Sequence, residues 1–322
     1  LAALGFDVTA VDCSAVGLAK ARRLARERGV SLTTITADLN DYPIAPAAWD
    51  VIINFFCHMP APERAPLHQR VIAGLKPGGA YILATAMHRL GVRARWMARL
   101  GNDLFSRFIH EEAQREGLDT SLFQFYDRPL RSVSIAFSFV QDRGFISYMD
   151  PFPESFAEGV IAAQKPRWVV NAPFDGSPEA QHFVDFVHLH GGKVYSDCQY
   201  TTATLAEPGL SDLLRKVDIF APNQSEACQL TGEEDPAHAA ARLAEFCPLV
   251  IVKAGKDGAF AQAGRQTWHS PALEVQVVDT TGAGDSFNAG FLAAHLRGEP
   301  IETCLRYGNI CGGLSTTQRG GT

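Results

Sequence analysis

Asp279-Thr280-Thr281-Gly282-Ala283-Gly284-Asp285-Ser286-Phe287-Asn288-Ala289-Gly290 is the stretch on which the fold turns. It follows an apolar run, Leu273 to Val278, that reads as a strand, and precedes a small-residue helix expected over Phe287 to Leu296. Strand, glycine-rich turn and helix, in that order, aim unpaired backbone N–H groups at an anion. Amides of Gly282, Ala283 and Gly284 would hold the charge that builds on a phosphoryl group, and Asp285 would take a proton from an attacking hydroxyl. An acid in a first helical turn also has a purely structural use, because it complements the helix dipole.

Working outward, the region from Trp168 alternates strand and helix patterns. Trp168 to Asn171, Lys193 to Asp197, Ile219 to Ala221 and Leu249 to Lys253 read as parallel strands, with helices near 177–190, 208–216, 224–231 and 235–246. In such α/β sheets the ligand lies beyond the carboxyl ends of the strands. Two further motifs fall there. Asn223-Gln224-Ser225-Glu226 has the spacing of a capping box. Lys253-Ala254-Gly255-Lys256-Asp257-Gly258 permits a tight turn and close backbone approach, with Lys253 either pairing with a phosphate or lying in solvent. Upstream, Val133 to Val140 and Phe145 to Met149 alternate apolar and polar residues around Asp142-Arg143-Gly144, a hairpin pattern.

Composition narrows the classes. The chain has 322 residues, 46% of them hydrophobic, enough for one large or two modest domains. Its 29 Lys and Arg against 35 Asp and Glu give a net charge of −6 without a basic block, which argues against nucleic acid or an anionic membrane as partner. No apolar run reaches membrane-spanning length, and Leu1 to Gly5 lacks a basic n-region and cleavage pattern. The missing initiator Met points to a fragment. Seven scattered Cys (13, 57, 198, 228, 247, 304, 311) with no CxxC pair read as buried reduced thiols in a cytoplasmic protein. His110-Glu111-Glu112-Ala113-Gln114 lacks the second His of a zinc-protease helix, and neither a GxSxG elbow nor a GxxxxGK[ST] loop occurs.

The segment Asp279 to Asp285 resembles the DTxGAGD signature of the PfkB, or ribokinase-like, carbohydrate kinases, and the resemblance covers residues 84–322. It implies a three-layer α/β sandwich, a parallel-rich sheet with helices on both faces, and a small β lid formed by the hairpin. It further implies ATP and Mg²⁺ as cofactors and a small sugar or nucleoside as substrate, and leaves a homodimer open. Asp285 would be the catalytic base. Asn223 and Glu226 would stand beside Mg²⁺ and the phosphates; Lys253, Gly255, Gly258, Thr281 and Asn309 would line the nucleotide; Asp279 and Thr280 would bind a monovalent cation such as K⁺. Ser196-Asp197-Cys198-Gln199-Tyr200 corresponds to the family's Asp-Pro-Asn-x-Arg stretch, without the Arg that some acid-sugar kinases carry. That favours a neutral sugar or a nucleoside.

Residues 1–83 have a different rhythm. Phe6 to Val11, Leu32 to Ala37 and Val51 to Phe56 read as strands, Ala15 to Arg28 and Leu67 to Leu75 as helices, and Ala80 to Leu83 as a short strand. Asp12 and Asp38 end two strands, where an acid either caps a helix or accepts hydrogen bonds from a nucleoside. Gly5 to Asp12, Trp49 to His58 and Leu75-Lys76-Pro77-Gly78-Gly79 together resemble class I S-adenosylmethionine (SAM)-dependent methyltransferases. The resemblance implies a partial Rossmann-like segment in which Asp12 and Asp38 hold SAM, were the half complete. Its GxGxG loop is absent. The kinase pattern in turn lacks its opening strand, and its sugar-binding Asn position falls on Ile82, ahead of Arg89-Leu90-Gly91. The chain thus reads as a truncated methyltransferase joined, without a linker, to an N-terminally truncated kinase. Gene rearrangement or misassembly explains that better than a natural fusion. The alternatives to an impaired kinase are a methyltransferase and a hybrid that binds nucleotide only.

Overall fold

A computed structural model of the chain describes residues 2, 7–38, 41–45, 48, 79–138, 143–151, 156–198 and 203–318. The chain divides into two units. One comprises residues 1–77, 98–117 and 123–152, and the other 78–97, 118–122 and 153–322.

The first unit opens with β1 (Thr9–Asp12), α1 (Ala15–Glu27) and β2 (Thr33–Thr36), a βαβ unit whose strands pair in parallel with Val11 opposite Ile35. Ser14 caps α1 by accepting the Gly17 N–H at 3.0 Å. The strand and helix expected at Val51 to Phe56 and Leu67 to Leu75 lie outside the described residues. Next come β3 (Ala98–Leu100), α2 (Leu104–Arg115) and β4 (Phe123–Phe125), again with parallel strands. Asp103 caps α2 and also accepts the Leu130 N–H at 2.9 Å, tying the helix start to the following loop.

β5 (Ser132–Ser138) and β6 (Arg143–Met149) form the expected antiparallel hairpin. Arg143 and Gly144 sit within β6, opposite Ser138 and Phe137, rather than in the turn. At its base Arg131 grips Asp150 through two side-chain bonds of 2.8 and 3.1 Å.

The second unit begins with α3 (Gly79–Arg89). Here the sequence reading of a strand at Ala80 to Leu83 is corrected. The apolar run continues past Leu83, and Tyr81, Ile82, Thr85 and Met87 are all buried, which is the spacing of a helix face. Gly91, at φ 73°, follows the helix end. The expected domain boundary at 83/84 falls inside this helix.

After α4 (Ala157–Gln164) come four parallel strands, β7 (Trp168–Val170), β8 (Lys193–Ser196), β9 (Ile219–Phe220) and β10 (Val250–Lys253). Between them run α5 (Pro178–Leu189), α6 (Leu210–Lys216), α7 (Gln224–Thr231) and α8 (Pro236–Leu243). Two antiparallel strands the sequence did not signal, β11 (Ala259–Ala263) and β12 (Gln266–Ser270), complete a six-stranded sheet of order β12-β11-β10-β9-β8-β7. Alternation decides the layers. Val194, Phe220, Val250 and Val252 enter one core with α5 to α8, whereas Tyr195, Ile219 and Ile251 enter another with α3 and the last two helices. Helices on both faces of a parallel-rich sheet give the three-layer sandwich that was expected.

The last two helices are α9 (Ala283–Leu296) and α10 (Ile301–Ser315). Their approach requires glycine: a Cβ on Gly290 would lie 2.6 Å from the Tyr307 carbonyl. α9 starts four residues earlier than the sequence indicated. The run before it, Leu273 to Val278, is not a strand. Leu273, Val277 and Val278 are exposed, and the Val278 N–H bonds the Thr316 carbonyl instead of a ladder partner.

Candidate active site

The carboxyl ends of β8, β9 and β10 and the N-terminus of α9 meet in the second unit. Gly282 takes φ 71°, a left-handed conformation that glycine adopts without strain, and so turns the chain into α9. The Thr281 N–H bonds the Asp279 carboxylate at 3.0 Å, and the Ala283 N–H bonds the Thr280 carbonyl at 3.3 Å. The turn thus leaves the N–H groups of Gly282, Gly284 and Asp285 unsatisfied among the described residues, whereas that of Ala283 is taken up by Thr280.

Asp285 stands in the first turn of α9. Its side chain has no hydrogen-bond partner among the described residues. Burial, reinforced by the nearby Asp197 carboxylate and opposed by Lys253, pushes its carboxyl up to about 7. A carboxyl in that range is half ionised near neutral pH, where a general base works best.

Asn223 and Glu226 form the complete capping box at the start of α7. The Glu226 N–H donates to Asn223 at 3.0 Å, and the Asn223 N–H donates to Glu226 Oε2 at 2.8 Å. Burial pushes the Glu226 carboxyl up to about 7 as well. Asn223 bridges to Lys253 across the ends of the strands, where the Lys253 N–H bonds the Pro222 carbonyl at 3.0 Å.

Lys253 does not lie in solvent: its side chain is only 11% exposed. Its Nζ donates to Asp197 Oδ2 at 2.7 Å and to Asn288 Oδ1 at 3.3 Å. Asn288 Nδ2 donates to the same Asp197 oxygen at 2.5 Å, and the Tyr195 hydroxyl donates to Asn288 Oδ1 at 2.8 Å. Asp197, Asn288 and Tyr195 carried no assigned role in the sequence reading, because no local spacing links them.

The remaining expected residues are placed as follows. Gly258, at φ 84°, has no room for a Cβ, which would meet the Ser270 carbonyl at 2.1 Å, so it serves the β10–β11 turn. Gly255, at φ 56°, has open space where a Cβ would stand. Asn309 donates its amide to the carbonyls of Ser270 and Pro271 at 2.8 and 3.0 Å, clamping the end of β12. Asp12 and Asp38 lie in the other unit, where Asp12 accepts the Ser14 N–H at 2.7 Å ahead of α1. Of the cysteines, Cys198, Cys247 and Cys304 are buried as expected, but Cys13 is exposed and Cys57 lies outside the described residues.

Among the described residues no cluster of three or more His, Cys, Asp or Glu stands ready for a metal. Protein sites hold Mg²⁺ through one or two carboxylates together with water and substrate phosphates. Glu226, half-buried and without an ion-pair partner among the described residues, has the chemistry for that use. No described helix is long and apolar enough to cross a membrane.

A three-layer α/β sandwich with free amides and a poised carboxylate beyond its parallel strands defines a phosphotransferase of the ribokinase-like class. A family model described as pfkB family carbohydrate kinase matches residues 184–322, and one described as methyltransferase domain matches residues 1–79. A protein of Archaeoglobus fulgidus described as an uncharacterized sugar kinase is 30% identical over 242 residues, covering 70% of this chain and 91% of the relative. A fructokinase of Klebsiella pneumoniae is 30% identical over 269 residues, covering 76% and 87%. Fructokinase from Vibrio cholerae, solved with fructose, ADP and calcium ion, superposes with a TM-score of 0.61 at 25% identity, covering 77% of this chain and 87% of that one. An E. coli structure described as a ribokinase II in complex with ATP and Mg²⁺ gives 0.61 at 26%, covering 77% and 85%. The chain belongs to the pfkB family of carbohydrate kinases, and its first residues are similar to a methyltransferase domain.

Proposed function

We propose that this chain moves the γ-phosphoryl group of ATP to a hydroxyl of a small sugar or nucleoside, with Asp285 as the base that accepts the hydroxyl proton. The observation that carries the reading is the Asp285 carboxyl, pushed up to about 7 and unpartnered among the described residues, beside the acceptor-free N–H groups of Gly282, Gly284 and its own backbone. Those N–H groups would stabilise charge on the transferring group. Glu226, with Asn223 fixing it, would hold Mg²⁺; the ion supplies charge neutralisation on the phosphates. The Asp279 carboxylate and Thr280 carbonyl, hard oxygens ahead of the cradle, suit a monovalent cation such as K⁺. Thr281, Gly255, Gly258 and Asn309 would frame the nucleotide through backbone shape rather than side-chain contact.

The relatives' substrates support a sugar, and the missing Arg supports a neutral one. Tyr200 and Thr201, which stand nearby in sequence, lie outside the described residues. Sugar turnover by this chain is proposed to be low. Ile82, where the family resemblance places a polar Asn, is buried at 1% exposure and offers no hydrogen bond. A poorly held hydroxyl is a poorly aligned nucleophile, and ~1 Å of misplacement can cost ~10²-fold in rate. Residues 84–322 are assigned to the kinase and 1–83 to a methyltransferase-like segment, supported by the parallel β1–α1–β2 unit with Asp12 at its first strand end.

The test is Asp285→Asn in a coupled ADP assay at saturating Mg·ATP. Turnover should fall ~10²–10⁴-fold while ATP affinity stays within about twofold. Comparable turnover by the variant would remove Asp285 from the mechanism.

A further inference from the structure

Lys253 is held by its neighbours in a way that a simple phosphate-binding lysine would not be. Asp197 and Asn288 both accept from its ammonium, at 2.7 and 3.3 Å. Asn288 is completely buried, and so is Tyr195, whose hydroxyl fixes the Asn288 amide by donating to Oδ1. With Oδ1 facing Tyr195 and Lys253, the amide N–H₂ must face Asp197, and it does, at 2.5 Å. The Lys253 side chain is only 11% exposed. Its Nζ lies 3.5 Å from where a Cβ on Gly284 would stand, so the ammonium sits directly beneath the anion cradle. Asn288 is three residues beyond Asp285 on α9, hence on the same helical face.

We propose that Lys253 is a positioning residue for phosphoryl transfer: anchored by Asp197 and Asn288, its ammonium balances the Asp197 carboxylate so that Asp285, one helical turn from the anchor, can carry its own negative charge as the base. The proposal rests on Asp285 being that base. Among the described residues, the charged and titratable groups that face Asp285 are Asp197 and Tyr195, from β8 and its end, and Lys253 at the end of β10. Tyr195 is kept protonated by burial and by the two acids, so it acts as a fixed donor. The balance thus reduces to one cation between two carboxylates. Removing Lys253 leaves two like charges in a poorly solvated site, and one of them must take up a proton.

The experiment needs no turnover. Nucleotide-free protein is melted between pH 4 and 9 with Asp285 and with Asp285→Asn; the pH at which the Tm difference is half developed lies midway between the ordinary and the folded-state ionisation of Asp285 and moves with the latter. The comparison is repeated in Lys253→Met, Lys253→Arg, Asp197→Asn and Lys253→Met/Asp197→Asn backgrounds. The half-point should rise by about one pH unit in Lys253→Met, fall by about half a unit in Asp197→Asn, and stay within ~0.3 of the parent in Lys253→Arg and the double variant. If Lys253→Met alone does not fold, Asp197→Asn and the double variant, which buries no unpaired charge, decide the matter. An unmoved half-point overturns the proposal. So does a double variant with an unmoved half-point but tenfold weaker ATP binding, which would make Lys253 a direct phosphate ligand. Retained turnover in Asp285→Asn would instead defeat the base assignment, so the two failures are distinct.

Discussion

Asp285→Asn should make the nucleotide-free protein more stable at pH 8 and no more stable at pH 4. In the folded chain the Asp285 carboxyl is pushed up to about 7 from an ordinary value of 3.8, chiefly by burial. The folded state therefore keeps a proton that the unfolded chain releases. The favourable contribution of the protonated acid is complete below 3.8 and is lost as pH rises towards 7. At ~1.36 kcal/mol per tenfold change in proton affinity, the ionised carboxylate would cost at most ~4 kcal/mol. The side chain keeps some contact with water, which lowers the expectation to ~1–2 kcal/mol. For a folding unit of this size that is a Tm gain of ~2–6 °C. Asparagine matches the protonated acid in shape and charge, so at pH 4 the two proteins should melt within ~1 °C of each other. Scanning calorimetry of both proteins at the two pH values, without nucleotide or divalent ion, is the measurement. Equal Tm at pH 8, or an equal gain at both pH values, would show that the carboxylate is comfortable in its site, and the case for a poised base would fail.

Three other outcomes follow from the same geometry. Titrating Mg·ATP into the protein at pH 7 should release protons, because a divalent cation beside Glu226 and charge balance at Asp285 lower carboxyls that stand at about 7; calorimetry in two buffers of different ionisation enthalpy measures it, and identical heats would contradict it. SAM should show no binding tighter than ~1 mM by calorimetry, since Asp12 and Asp38 alone would grip one end of the cofactor only; micromolar binding would reverse that. Against a panel of hexoses, pentoses and nucleosides, this chain should turn over at least ~10²-fold more slowly than a form given a complete kinase N-terminus; equal rates would show that the polar group missing at Ile82 is dispensable.

The parallel strands and their helices were legible because each is a short apolar run bounded by caps: Ser177, Asn223 and Asp235 all cap helices in the structure. Errors fell where a local pattern is ambiguous. Four apolar residues at Ala80 to Leu83 fit a strand or a buried helix equally, and only the packing of Ile82 and Met87 decides. Leu273 to Val278 is apolar yet finds no strand partner. Ala259 to Ala263 escaped notice because alanine and glutamine carry little strand preference. The glycine turn into α9 and the place of Asp285 in its first turn were legible because they lie in one contiguous stretch. The Lys253–Asp197–Asn288 network was not, because its members are 56, 35 and 91 positions apart and meet only once the sheet order is set.

The charge count of the site explains why nucleotide and metal should arrive together. Among the described residues, Lys253 is the ammonium that faces Asp197, Glu226 and Asp285, and it already answers Asp197. Glu226 and Asp285 therefore pass part of their time protonated, which is the least costly state for acids taken out of water. A polyanionic phosphate entering alone would meet acceptor-free amides and also two acids that its own field drives further towards the neutral form. Asp285 could not then act as a base. A divalent cation held by Glu226 would offset that field. It would favour ionisation of Asp285 when a hydroxyl must be deprotonated. On this argument the cation that would bind the phosphates would also raise the fraction of Asp285 that is ionised, from about half at neutral pH.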